Sequence, residues 1–151
     1  MQQIETSRFG VVTIQADQII SFPRGLIGFS DVTQFALIPA PDNEGFFWLQ
    51  AIGEADLAFL VTDPQPFFKD YDVPIREETQ ADLQLADTKD GRVLVICNRV
   101  GEWLTGNLLG PLVINTASHA GLQLVVTEKK WTCRQPLMRL GATESAMAQA
   151  A

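Results

Sequence analysis

Residues 106–127 read GNLLGPLVINTASHAGLQLVVT. Two glycines bracket a short apolar stretch, and the chain's single histidine follows. The stretch has the glycines of a phosphate-binding loop but lacks the Gly-Lys-Ser/Thr ending that would hold phosphate and magnesium. It also runs through Pro111 into a strand-like segment, so no helix N-terminus is offered to an anion. The pattern predicts a β-hairpin instead. Pro111 opens a strand over 111–116, at a position where its missing N–H is tolerated. Residues 116–121 turn the chain, and 122–127 return antiparallel with Leu122, Leu124 and Val126 inward. Asn107 and Asn115 read as side chains that satisfy backbone groups at turns.

The same type of run recurs along the chain, over residues 2–6, 9–14, 18–22, 35–39, 46–51, 57–62 and 92–97. These runs are rich in Val, Ile, Leu and Phe and are divided by Gly, Pro, Asn and Asp. LAFLV (57–61) and VLVIC (93–97) are apolar at every position, as in strands buried on both faces. Many short, closely spaced strands predict an all-β, mainly antiparallel fold: a small β-barrel-like single domain with one or two short helices. One helix is expected near Pro74, with Glu77 and Glu78 at its positive end and Ile75, Thr79 and Leu83 four apart. The domain is read as residues 1–140, and the alanine-rich 141–151 as a frayed or partly helical tail.

At 151 residues and 46% apolar composition the chain is large enough for a core without disulfide or metal. The opening MQQIETSRFG has neither the basic nor the apolar region of a secretory signal, and no apolar run reaches membrane-spanning length. A cytoplasmic protein with no membrane contact is therefore expected, with Cys97 and Cys133 as unpaired thiols. The net charge of −7 has one origin: residues 54–90 hold ten acids and three bases, while the rest of the chain is balanced at eight of each. Direct nucleic-acid binding is disfavoured, since phosphate backbones are held by clustered Lys and Arg. A basic partner would be attracted to the acidic segment, which as a plain solvated face would serve only solubility.

The residues do not assemble into a catalytic constellation. His119 has only the two cysteines for nucleophilic or metal company, and Cys97 lies inside an apolar strand pattern. Three scattered N/S side chains fall short of the four usual for structural zinc. No catalytic, cofactor-binding or metal-binding residue is assigned, and no cofactor is expected. A small hydrolase using Cys133 or Cys97 with His119 stands as the enzymatic alternative.

Several blocks, in order, resemble one known family. FPRGLIGF (22–29), FFWLQAIGEADLAFLVTDP (46–64), FFKDYDVPI (67–75), NLLGPLVIN (107–115) and RQPL (134–137) together resemble the bacterial flagellar assembly factor FliW. The resemblance runs from about residue 4 to residue 137; Trp103, the cysteine pair and the alanine-rich tail are departures from it. It implies a non-enzymatic protein with a β-barrel-like fold that binds flagellin in the cytoplasm. It also implies allosteric antagonism of the RNA-binding translational repressor CsrA, and hence control of flagellin translation. A subunit-holding chaperone that binds flagellin without acting on CsrA is the alternative, and a monomer is expected when no partner is bound.

The residues point to a partner-binding surface within the acidic segment: Phe67, Phe68, Asp70, Tyr71, Asp72, Glu77 and Glu78. In an extended stretch adjacent Phe67 and Phe68 cannot face one core, so one would be exposed as an apolar anchor ringed by charge. Burial of both around a turn aided by Pro66 is the competing expectation, just as FPRGLIGF reads either as a contact or as a loop shaped by Gly25 and Gly28. If the 116–121 turn only shapes a hairpin, His119→Ala leaves unfolding free energy within about 0.5 kcal/mol and partner binding intact. Loss of flagellin binding in that variant would make the tip a site.

Overall fold

In the computed structural model, which describes residues 1–41 and 43–140, strand-forming runs divided by turn residues produce an all-β, antiparallel domain. Strands β1 (Gln2–Thr6) and β2 (Gly10–Ile14) form a separate hairpin. The main sheet holds β3 (Ile19–Ser21), β4 (Gln34–Pro39), β5 (Phe46–Ala51), β6 (Ala58–Thr62), β7 (Gly91–Val100), β8 (Trp103–Gly106), β9 (Leu112–Asn115), β10 (Gly121–Gln123) and β11 (Gln135–Arg139). Its order is β10-β9-β7-β6-β5-β4-β3, with β8 on β7 and β11 on β8. The ladder does not close into a barrel. Its two ends touch at one bridge, where the Ser21 N–H donates to the His119 carbonyl at 2.9 Å.

Strand β7 is the organising element. Its first half pairs with β9, through Gly91–Asn115 to Leu94–Leu112, and its second half with β8, through Cys97–Gly106 to Val100–Trp103. Between these ladders residues 107–111 loop out where only Val95 and Ile96 lie opposite. The GNLLGP stretch is thus a wide bulge in one long hairpin. Asn107 stabilises it, its Oδ1 accepting from the Leu109 and Gly110 N–H groups at 3.1 Å each.

The apolar runs are buried on both faces, as their composition requires. Leu94, Leu112 and Ile114 pack with Phe22, Phe35, Leu49 and Val61 on one side. Val95 and Val113 pack with Tyr71, Leu83 and Trp131 on the other. Cys97 belongs to a third cluster with Trp48, Leu60 and Leu104.

Two strands escape the sequence pattern. WLTG (β8) forms because the two-residue turn after Val100, with Gly101 at φ 60°, folds it back on β7. QPLMR (β11) lies at an edge with an irregular register between Pro136 and Met138, where proline's missing N–H costs no ladder bond. The expected strand 122–127 is regular only to Gln123, but its backbone continues along the bulge: Leu124 and Val126 N–H donate to the Pro111 and Leu109 carbonyls at 2.8 Å. The alanine-rich tail, 141–151, lies outside the described residues.

Helix α1 (Glu77–Asp82) begins after Pro74, which sits in an extended lead-in, and buries no residue of its own. Leu83 and Leu85, just beyond it, are buried and anchor it to the sheet. The exit is a left-handed cap: Leu85 N–H donates to the Gln80 carbonyl at 2.9 Å, Gln84 N–H to Ala81 at 3.1 Å, and Gln84 sits at φ 53°. Buried Asn115 ties this exit to the β9–β10 turn. Its Nδ2 donates to the Leu83 carbonyl at 2.8 Å, while its Oδ1 accepts from Ala117 N–H at 2.9 Å and Ser118 N–H at 3.3 Å.

These contacts give opposite signs for two substitutions. Gln84→Gly relieves a left-handed strain and raises unfolding free energy by about 1 kcal/mol. Asn115→Ala leaves the Leu83 carbonyl and the turn N–H groups unpaired and lowers it by about 2–3 kcal/mol. Urea titration measures both; equal, small effects would show that neither cap matters.

Candidate functional site

The acidic segment contains β6, leaves the sheet after Thr62 and returns to it at β7. The stretch just after β6 is a compact turn rather than an extended run. Asp63 Oδ1 accepts from Gln65 N–H at 2.8 Å, and the N–H groups of both Phe67 and Phe68 donate to the Pro64 carbonyl at 3.0 Å. That turn lets the two adjacent phenylalanines reach different clusters. Phe67 meets Phe46 edge-on with centroids 6.3 Å apart, and Phe68 meets Trp131 at 5.5 Å. Both are half-buried, closer to the turn-buried expectation than to a freely exposed anchor.

Tyr71 is buried against Trp131, centroids 5.2 Å apart, and its hydroxyl donates to the Leu108 carbonyl at 2.6 Å. Burial pushes the Tyr71 hydroxyl above its ordinary pKa, so it stays a neutral donor. Tyr71 therefore fastens the acidic segment to the bulge. Beyond it the chain is extended: Val73 is buried, Ile75 half-buried, and Asp72, Pro74 and Arg76 face solvent.

All ten acids of 54–90 are exposed, including Asp70, Asp72, Glu77 and Glu78. Among the described residues only two of them form ion pairs, Asp70 with Lys130 and Asp82 with Arg24. The hydrogen bond from Lys130 holds the Asp70 carboxyl below its ordinary pKa. Such exposed pairs add little stability, and most of the segment's negative charge stays unneutralised.

The ridge 71–75 separates two clefts. One, of about 370 Å³, is polar and contains Asp63, Asp72, Thr88 and Lys89. The other, of about 730 Å³, is bounded by residues 24–28, one face of α1 with Glu78, Thr79 and Asp82, and residues 122–128. The structure thus gathers Asp72 into one cleft and Glu78 into the other, while Asp70 is engaged with Lys130.

The larger groove joins segments distant in sequence, and no single motif announces it. Its first wall is the FPRGLIGF stretch, which is shaped as a loop. Gly25 has φ 67°, and a Cβ there would stand 2.5 Å from the Ser30 Cα. Phe22 and Leu26 are buried beneath, yet Ile27 and Phe29 remain exposed.

The described residues hold no group of three His, Cys, Asp or Glu side chains placed to bind a metal ion. No helix among them is long and apolar enough to cross a membrane. His119 contributes its backbone, accepting from Ser21 and donating to the Asn115 carbonyl at 2.8 Å.

The sequence profile of the FliW protein family matches residues 3–137. The chain belongs to the FliW family. The flagellar assembly factor FliW of Moorella thermoacetica is 34% identical over 140 residues, covering 91% of this chain and 89% of that protein. The FliW of Alkaliphilus metalliredigens is 42% identical over 127 residues, 82% and 78% of the two chains. A crystal structure of the flagellar assembly factor FliW superposes with a TM-score of 0.81 at 28% identity, covering 91% of this chain and 97% of that one. On this FliW scaffold the two thiols differ sharply. Cys97 is buried and unpaired, its thiol pushed up to about 12 by burial, whereas Cys133 is exposed and unpaired. Under native conditions at neutral pH iodoacetamide therefore alkylates Cys133 and spares Cys97 until the protein is unfolded. Rapid native labelling of Cys97 would contradict the buried strand assignment.

Proposed function

We propose that this FliW-family chain is a non-enzymatic flagellar assembly factor of the cytoplasm that binds flagellin and antagonises CsrA. It thereby couples flagellin level to flagellin translation. The observation that carries the reading is the exposed acidic segment on a FliW scaffold: ten acids in 54–90, all at the surface, on an otherwise charge-balanced chain. A repressor that binds RNA presents clustered positive charge, and the acidic segment complements it. Asp70, Asp72, Glu77 and Glu78 supply the electrostatic attraction. The accessible edges of Phe67 and Phe68 supply apolar contact, and Tyr71 holds the segment in place. The negative field beside bound CsrA also weakens its hold on RNA phosphates within about 8 Å, a Debye length at physiological salt. The raised pKa of the Cys97 thiol disfavours the hydrolase alternative that would use it as nucleophile.

Charge reversal tests this directly. Changing Asp70, Asp72, Glu77 and Glu78 together to Lys slows CsrA association and flattens its salt dependence, while flagellin binding changes less. Phe68→Ala instead speeds dissociation. Rates are measured for both partners at low and high salt, with folding of each variant checked by circular dichroism. Unchanged CsrA kinetics in a folded charge-reversed variant would reduce the acidic segment to a solubilising surface. Flagellin binding with no CsrA binding at all would leave a subunit-holding chaperone.

A further inference from the structure

The larger groove is the seam along which the main sheet fails to close. Strands β3 and β10 meet at the Ser21–Ala120 bridge, after which the chain beyond β3 and the chain beyond β10 diverge and leave about 730 Å³ between them. On the β10 side, Leu124 and Val126 N–H are turned inward to the bulge carbonyls of Pro111 and Leu109. By the alternation of an extended backbone, Val125 and Thr127 N–H face the other way, and among the described residues neither meets a hydrogen-bond partner. The exposed side chains agree with an unfinished edge: Val125 is 70% exposed and, across the groove, Ile27 is 64% exposed.

The opposite wall is held at a fixed distance. Gln123 acts as the spacer, its Oε1 accepting from Ile27 N–H at 2.7 Å and its Nε2 donating to the Gly110 carbonyl at 2.9 Å. Arg24 and Asp82, 3.2 Å apart, join the loop to α1 and cancel each other's charge. Glu78 and Glu128 then outweigh Arg76 among the remaining charges.

We propose that this seam binds an extended peptide segment of a protein partner by strand addition. The segment pairs its main chain with Val125 and Thr127, sets apolar side chains at alternate positions against Val125 and Ile27, and carries a basic residue where it passes Glu128. An open edge offers unpaired main-chain groups that one added strand can take up. A second copy of this chain, which carries a net charge of −7, is a poorer fit to a groove where Glu78 and Glu128 outweigh Arg76. The inference is independent of whether flagellin or CsrA is the partner.

The test uses a phage-displayed library of linear peptides selected against the intact protein. The expected selection is proline-poor peptides with alternating apolar residues and a lysine or arginine, binding one to one and slowing amide exchange at Val125 and Thr127. Val125→Pro deletes one open donor that the free protein does not use, and it weakens the selected peptide about tenfold, as for one main-chain hydrogen bond. If that variant fails to fold, Ile27→Asp, on the other wall and outside the ladder, gives at least the same loss. The proposal is overturned by selected peptides that leave those amides unprotected or bind Ile27→Asp unchanged, or by no enrichment. Concentration-dependent protection of Val125 and Thr127 without peptide would also overturn it, by assigning the edge to a dimer.

Discussion

Five residues, 107–111, lie where β7 offers only Val95 and Ile96, and the backbone groups they release must be paired elsewhere. The partners they find build the rest of the surface. The Leu108 carbonyl takes the Tyr71 hydroxyl, and Leu108 N–H reaches the Thr132 carbonyl at 3.1 Å. The carbonyls of Leu109, Gly110 and Pro111 receive Val126 N–H, the Gln123 side chain and Leu124 N–H. Leu108 itself is fully buried under Tyr71, Leu83 and Trp131. The acidic segment on one side and the groove edge on the other are both positioned by this bulge. Gly110 suits its place for a related reason: a Cβ there would lie 2.9 Å from the side-chain nitrogens of Asn107 and Gln123.

A second consequence concerns the division of labour along the acidic segment. Its aromatic residues face inward or lie half-buried, and its acids face outward, so packing and surface charge come from different side chains of one stretch. Tyr71 fastens it, while Phe67 and Phe68 spread from a single turn to two clusters. The backbone that carries the acids is thereby anchored at three aromatic positions, which would lower the ordering cost of the proposed binding. The asymmetry of charge, with the whole excess in 54–90, survives folding because only Asp70 and Asp82 among these acids are ion-paired within the described residues.

Much of this architecture is legible in the residue pattern. LAFLV and VLVIC advertise strands covered on both faces, and Leu60, Val61, Leu94, Val95 and Cys97 are all buried. Asn107 and Asn115 act as the turn-satisfying side chains their positions suggest. Strands β8 and β11 are hidden because WLTG and QPLMR are short, contain no Val, Ile or Phe, and take their place by pairing on β7 and β8. The exposure of a single Phe in FFKDY depends on whether the stretch is extended, and the two N–H groups converging on the Pro64 carbonyl decide that locally. The seam groove is invisible in sequence for a different reason. Its walls come from 24–28, α1 and 122–128, whose adjacency exists only after the sheet has formed.

The central claim is that the bulge couples the acidic segment to the groove edge. Amide hydrogen exchange of Asn107→Ala, which removes the acceptor for Leu109 and Gly110 N–H, tests it most directly. The account predicts faster exchange at Tyr71, Leu108, Leu124 and Val126 together, with the β4–β5 ladder unchanged. Faster exchange confined to Leu109 and Gly110 would show that the two surfaces are held independently and would contradict it.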